Sequence, residues 1–329
     1  MQTSPAFIKA AAAWLLALVL VIVATVVAVV AVKTTVAGPE QPVRRYIAAL
    51  EAGDGGRALG LLGAQVPAGS AALLDGGPLK DSMSRVEDIS YATTSADDSS
   101  ASVTVSYTVD GSRQEAVFPM ERTGTDWLFF PRWSISPGTL PVLQATVVNS
   151  THATINGAPV NMPAGRNAFP VFYPGSYVGS LPGKNFAAEP TAAIASGRDT
   201  QPTLNLATKA TPQLVKAIDA KVREYLDSCA RTATEQQRLQ PDCPFVFPTD
   251  DRIQDGTISW KVSAYPPVTI EPFAGRWVVA PLEGKARLTA TRIDLFTGAT
   301  APLEVQVPYS FSVRLTVGES AITVTPQLG

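Results

Sequence analysis

The chain has 329 residues with 26 basic and 28 acidic side chains, a net charge of −2, and only 16% of its residues charged. That balance excludes a concentrated basic face, and with it nucleic acid as an electrostatic partner. An apolar content of 46% beside 27 prolines and 24 glycines points to a turn-rich, β-rich chain rather than a disordered one, with length for two ordinary domains or three small ones.

Residues 1–9 read as a short cytoplasmic tail, and the uncharged run from Ala10 to Val32 as a transmembrane helix over 10–32. At helical rise that run extends roughly 34 Å, enough for a hydrocarbon core of ~30 Å. A cleaved signal peptide is the competing reading, but the stretch exceeds an ordinary apolar signal region, and the best cleavage site, Thr35-Val36-Ala37, lies beyond Lys33. The basic residues Lys33, Arg44 and Arg45 lean against an exported remainder, a rule that long domains largely escape. The expected placement is therefore a single-pass plasma-membrane protein with extracytoplasmic C-terminal domains and the lipid bilayer as partner through 10–32. Cys229 and Cys243, the only two cysteines, support it, since their spacing suits a structural disulfide formed under oxidising conditions; a buried thiol pair is the alternative.

After a linker over 33–41, Val43, Tyr46, Ile47 and Leu50 are spaced for one face of a helix that Gly53-Asp54-Gly55-Gly56 stops. Ala58, Leu59, Leu61 and Leu62 suggest a second, short helix. From Ser102 the period becomes two: Val103, Val105, Tyr107 and Val109 alternate with polar residues, Asp110-Gly111 is a hairpin turn, and strands over Glu115 to Arg122 and Trp127 to Trp133 follow. Helices before a meander predict an α+β domain over 42–138. Residues 139–207 read as a small all-β module, with an Asn156-Gly157 turn and a small-residue connector from Pro190 to Gln201. Thr211-Pro212 opens a helix carrying Val215, Ile218, Val222, Tyr225 and Leu226, whose Val222-Arg223-Glu224-Tyr225-Leu226 echoes Val43-Arg44-Arg45-Tyr46-Ile47 and suggests a duplicated domain over 208–329. Val305, Val307, Tyr309, Phe311, Val313, Leu315 and Val317 then mark one long strand, with a bulge or a free edge at Pro308.

Chemistry is sparsely marked. The single histidine, His152, excludes multi-histidine metal sites and reads as an exposed turn residue. No nucleophile elbow, zincin, phosphate-loop or dinucleotide pattern occurs. Asp97-Asp98 and Asp250-Asp251 read as solvated turns rather than calcium ligands. Asn149-Ser150-Thr151 fits a glycosylation acceptor, and Trp127, Phe129, Phe130 and Trp133 fit core packing better than a ligand pocket. No catalytic, metal or cofactor-binding residue is assigned, no cofactor is expected, and the chain is expected not to be an enzyme.

Val43 to Asp54, an amphipathic helix running into Ala-Gly-Asp, and the W-x-F strand at Trp127-Leu128-Phe129 resemble NTF2-like domains. The order of segments is similar to exported, membrane-anchored actinobacterial envelope proteins and, loosely, to the teicoplanin-resistance-associated membrane proteins, without their zinc ribbon. The resemblance implies an α+β fold: an N-terminal transmembrane helix, then two NTF2-like domains of helix and curved antiparallel sheet separated by a small all-β module. It implies a fold more than a task; the lack of catalytic groupings in an exported, duplicated tail gives the expectation of a non-catalytic binding, scaffold or sensing module of the cell envelope, whose partner is an envelope protein or a cell-wall component. The alternatives are a receptor for an apolar or cell-wall-derived small ligand and a hydrolase using carboxylates such as Asp294 or Glu304.

Overall fold

Frequent prolines and glycines cut this chain into short elements, and the computed structural model, which describes residues 13–25, 27, 38–126, 130–318 and 321–327, follows those cuts. Two compact units result, one from residues within 1–146, 154–179 and 191–205, the other from 147–153, 180–190 and 206–329.

In the first unit, α1 (Glu40–Ala52) buries Val43, Tyr46, Ile47 and Leu50, as their helical spacing requires. Asp54 caps α2 (Gly55–Leu62) by accepting from the Arg57 N–H at 2.9 Å, and α3 (Gly76–Met83) follows. A four-stranded antiparallel meander is then laid down in chain order: β1 (Val86–Ala96), β2 (Ser100–Val109), β3 (Ser112–Asp126) and β4 (Phe130–Ile135). The alternation in β2 is strict, with Val103, Val105, Tyr107 and Val109 buried and their neighbours only partly so. The outer strand β1 carries register shifts between Glu87 and Ser90 and between Thr93 and Ser95, irregularities that blunt an exposed edge. Helix α1 packs against β4 and β1.

Shorter strands follow: β5 (Val142–Val147), β6 (His152–Ile155), β7 (Ala158–Asn161), β8 (Arg166–Pro170), β9 (Gly175–Leu181), β10 (Phe186–Ala195), β11 (Thr203–Leu206) and β12 (Lys209–Ala210). In the first unit β5 lies between β11 and β8, and β6 lies between β9 and β7. In the second, Phe186 and Ala187 pair with Ala210 and Lys209.

The second unit is organised by α4 (Pro212–Glu235), which starts where the Thr211 side chain accepts from the Leu214 N–H and Pro212 occupies the first turn. Its buried face, Leu214, Ile218, Val222, Leu226, Cys229, Ala230 and Ala233, shares a core with a sheet. The strands are β13 (Arg252–Ile253), β14 (Ser259–Ala264), β15 (Ile270–Phe273), β16 (Arg276–Val279), β17 (Leu282–Ile293), β18 (Thr300–Val317) and β19 (Ile322–Gln327). The sheet runs β13-β17-β18-β19 with β14 also on β17, while β15 and β16 form a separate ribbon. Pro308 of β18 sits in register with Lys285, and β19 pairs only from Ser312 onward, so among the described residues no strand pairs with the other edge at Pro308. Cys229 and Cys243 form a disulfide, with a Cα–Cα distance of 6.0 Å.

The expected α+β fold of two NTF2-like domains is corrected by this architecture. The structure is mostly β, 46% strand against 24% helix. The helical signals at Val43 and Thr211 are real but local, and the alternating pattern between and after them dominates. Pro and Gly divide that pattern into five separate sheets among the described residues.

The expected transmembrane helix over 10–32 is corrected as well. Of that run, 13–25 and 27 are described, as helix. Residues 10–12, 26 and 28–32 of the run lie outside the described residues. Among the described residues no helix is long and apolar enough to cross a membrane. The single-pass plasma-membrane placement, the extracytoplasmic location that followed from it and the bilayer partner through 10–32 lose their ground. The tail 1–9 and linker residues 33–37 lie outside the described residues.

Candidate functional site

In the first unit, the chain leaving β4 runs extended through Pro137 to Pro141, where extended backbone must find partners outside a regular sheet. Gln65 supplies them, donating its N–H to the Gly138 carbonyl at 2.8 Å and accepting from the Leu140 N–H at 3.0 Å. Val171 donates to the Pro141 carbonyl at 3.0 Å, and Gln144 donates to that of Pro202 at 2.9 Å. Facing this segment is the turn after β10, closed by the Thr200 N–H and the Thr200 hydroxyl, both donating to the Gly197 carbonyl.

Between the two lies a cleft of about 640 Å³, lined chiefly by Thr139, Leu140, Val142, Arg198, Asp199 and Thr200. Its size is that of a small-molecule site. Leu140 and Pro141 are buried and Val142 half-buried, giving an apolar floor, whereas Asp199 is exposed.

Arg198 is the fixed polar element. It is half-buried, and its Nη2 donates to the Ser136 carbonyl at 2.9 Å. Its charge also reaches Tyr173: burial pushes the Tyr173 pKa up, while Arg198 pulls it back, and the Arg198 Nε is buried with no hydrogen-bond partner among the described residues. Gly138 leaves room for the guanidinium, since a Cβ there would stand 3.0 Å from the Arg198 Cζ. Tyr173 stacks on Phe118 with ring centroids 5.3 Å apart and takes the Tyr46 hydroxyl on its carbonyl at 2.6 Å.

The second unit has a shallower recess of about 530 Å³ beside Tyr309, lined by Ala264, Glu283, Gly284, Lys285, Pro308 and Ser310. The Tyr309 hydroxyl donates to the Ala264 carbonyl at 3.2 Å and crosses Gly284 so closely that a Cβ at that position would collide with it. Burial, then the charges of Tyr265 and Asp227, push Tyr309 up to about 12. Tyr265 donates to Asp227 at 2.5 Å beneath the Arg223 guanidinium.

The residues singled out by sequence are dispersed. His152 is exposed at the start of β6, its N–H and carbonyl bonded to the Ser150 hydroxyl. Asp97 accepts from the Ser100 hydroxyl and from the Ser99 and Ser100 N–H groups, which holds its carboxyl far below the usual range. Asp251 donates its N–H to the Thr249 hydroxyl. Asn149 spends its amide on the Arg276 carbonyl at 3.1 Å. Asp294 caps the β17–β18 turn by accepting from the Thr297 and Phe296 N–H groups, which lowers its pKa. Glu304 pairs with Arg287 at 3.4 Å. It stands four residues up β18 from Thr300 at the turn, roughly 13 Å along the strand, so the two carboxylates do not converge. Phe130 and Trp133 are half-buried on β4, and Trp127 and Phe129 lie outside the described residues. Cys229 joins α4 to the loop at Cys243.

Sequence reading missed Gly138, Tyr173, Arg198 and Asp199. The one available signal was an Arg-Asp pair at the end of the stretch Thr191 to Gly197, which is otherwise small and uncharged. Compared with family models, curated proteins and solved structures, the chain finds no match.

Proposed function

We propose that the chain is a non-catalytic binding protein whose first unit takes a small carboxylate-bearing ligand in the Arg198 cleft. One observation carries the reading: a half-buried guanidinium that donates to the Ser136 carbonyl, with its Nε buried and without a hydrogen-bond partner among the described residues, lines a 640 Å³ cleft that also holds Leu140, Pro141 and Val142. A guanidinium has five N–H donors in a planar fork suited to a carboxylate, and the bond to Ser136 leaves most of that fork uncommitted. Bracing from behind also lowers the entropy lost when a ligand docks. The Thr200 hydroxyl is occupied in holding the turn at Gly197. The cleft's dimensions favour a small molecule over the envelope protein or cell-wall component suggested by resemblance.

The test is a thermal-shift screen of the full chain against small organic carboxylates. A true ligand at ~100 times its dissociation constant adds ~2.7 kcal/mol. Arg198→Gln should abolish the shift, and Gly138→Ala, which pushes on the guanidinium, should weaken it without unfolding the chain. A panel with no hit, or a hit indifferent to Arg198→Gln, defeats the reading.

A further inference from the structure

We infer that the ligand of the Arg198 cleft is a zwitterion of the α-amino-acid type, its carboxylate on Arg198, its ammonium between Asp199 and Thr200, and its apolar body along Leu140, Pro141 and Val142. The inference rests on the binding reading above and makes it specific.

Three observations carry it. First, the cleft holds both signs of charge on consecutive residues, and these do not neutralise each other. Arg198 donates to the Ser136 carbonyl, no ion pair of the described residues joins it to Asp199, and Asp199 stays exposed. A simple anion drawn in by Arg198 meets the repulsion of Asp199, and a simple cation meets the reverse. A molecule carrying both charges on one carbon satisfies the pair, whose Cα atoms are ~3.8 Å apart.

Second, the Thr200 hydroxyl gives its only hydrogen to the Gly197 carbonyl at 2.7 Å. It therefore faces any ligand as an acceptor, which suits an N⁺–H donor and not a second carboxylate. The Asp199 carboxylate beside it is likewise an acceptor, so two acceptors stand one and two residues on from the Arg198 donors.

Third, part of the lining is apolar, beside Thr139, Gln144 and Gln201. Leu140 and Pro141 are buried and Val142 half-buried. A cleft of about 640 Å³ accommodates more than a charged head, so the side chain of the ligand belongs on that floor.

Isothermal titration of the full chain with three probes decides the matter: L-phenylalanine, L-phenylalaninamide, which lacks the carboxylate, and N-acetyl-L-phenylalanine, which lacks the ammonium. Phenylalanine should bind about fivefold more tightly than either, the upper end for one exposed ion pair. Asp199→Asn should erase its advantage over the acetylated probe, and Arg198→Gln its advantage over the amide. Asp199 is exposed, so Asp199→Asn leaves the fold intact, which circular dichroism verifies. If the acetylated probe binds as tightly as phenylalanine, the zwitterion inference fails and the carboxylate reading survives. If the amide binds as tightly, or none of the three binds while another carboxylate of the screen does, the inference also fails; if no carboxylate binds at all, both fall together.

Discussion

In the first unit an irregular segment, 171–174, is held by side-chain hydroxyls; in the second, the longer irregular stretch 236–251 is held by a disulfide and side-chain amides. Tyr46 donates to the Tyr173 carbonyl at 2.6 Å across 127 residues of sequence, and Tyr177 donates to that of Phe172 at 2.9 Å. These phenols are buried among Phe118, Phe172 and each other, so each ring fills core while its oxygen satisfies backbone that no sheet can reach. In the second unit Cys243 is tied to Cys229, and the Gln237 side chain bridges the Thr234 and Ile258 carbonyls and the Ile258 N–H. The Trp260 indole donates to the Arg238 carbonyl at 2.8 Å, and Phe245 packs on Trp260 and Tyr309. The contrast teaches where a site can form. Aromatic bracing leaves the first unit a stiff wall on which Arg198 rests, whereas the staple of the second fastens a loop to a helix end.

The comparison breaks most visibly at Phe118. It is fully buried between Tyr46 and Tyr173, and Phe118→Ala should cost about 3–5 kcal/mol, read from urea unfolding. It should also loosen ligand binding at Arg198 through Tyr173. A loss below about 1 kcal/mol would mean the aromatic group is not what holds 171–174. Next in size is the disulfide. Replacing both cysteines by serine reopens a loop with a sequence separation of 14, worth ~3 kcal/mol in the chain-entropy account. Hydrogen exchange should accelerate in α4 and β14 while β2 and β3 keep their protection; acceleration of β2 and β3 instead would refute the assignment of the staple to the second unit.

Legibility in the sequence followed periodicity. Val103 to Val109 and Val307 to Val313 alternate so cleanly that their strands and buried faces could be read directly, as could the helix faces at Val43 and Ile218. What failed was the step from element to fold class. A short echo between two helices suggested a repeated α+β plan, while the strands between them belonged to separate small sheets. The stretch from Pro190 was read as a connector because Ala192, Ala193 and Ala195 are small; 190–195 is strand in β10, with Ala193 and Ala195 buried. The cleft was illegible for a different reason. Gly138, Tyr173 and Arg198 are brought together by long-range bonds such as those at Gln65, Val171 and Ser136, and such pairings have no period to detect.

The smallest effect sharpens the comparison by pH. Tyr107 in β2 and Tyr309 in β18 are both pushed from 10.0 up to about 12, burial being the first cause in each. A phenol whose folded pKa lies above its unfolded value contributes stability that is fully present below pH 10 and is lost as pH rises from 10 toward 12, because the unfolded chain releases the proton first. Absorbance at 295 nm should therefore show these two residues ionising late, with assignment from Tyr107→Phe and Tyr309→Phe. The two should then diverge. Only Tyr309 is also raised by neighbouring charge, from Tyr265 and Asp227, so salt at about 1 M should lower its titration and leave that of Tyr107 in place. The Tyr107 hydroxyl is buried with no hydrogen-bond partner among the described residues, whereas that of Tyr309 donates to Ala264. Tyr107→Phe should accordingly be neutral or slightly stabilising at pH 7, and Tyr309→Phe should cost about 1 kcal/mol by leaving a carbonyl short of a donor. Equal losses from both substitutions would show that the two phenols are bonded alike and that the hydroxyl bracing of the first unit does not stop short of β2.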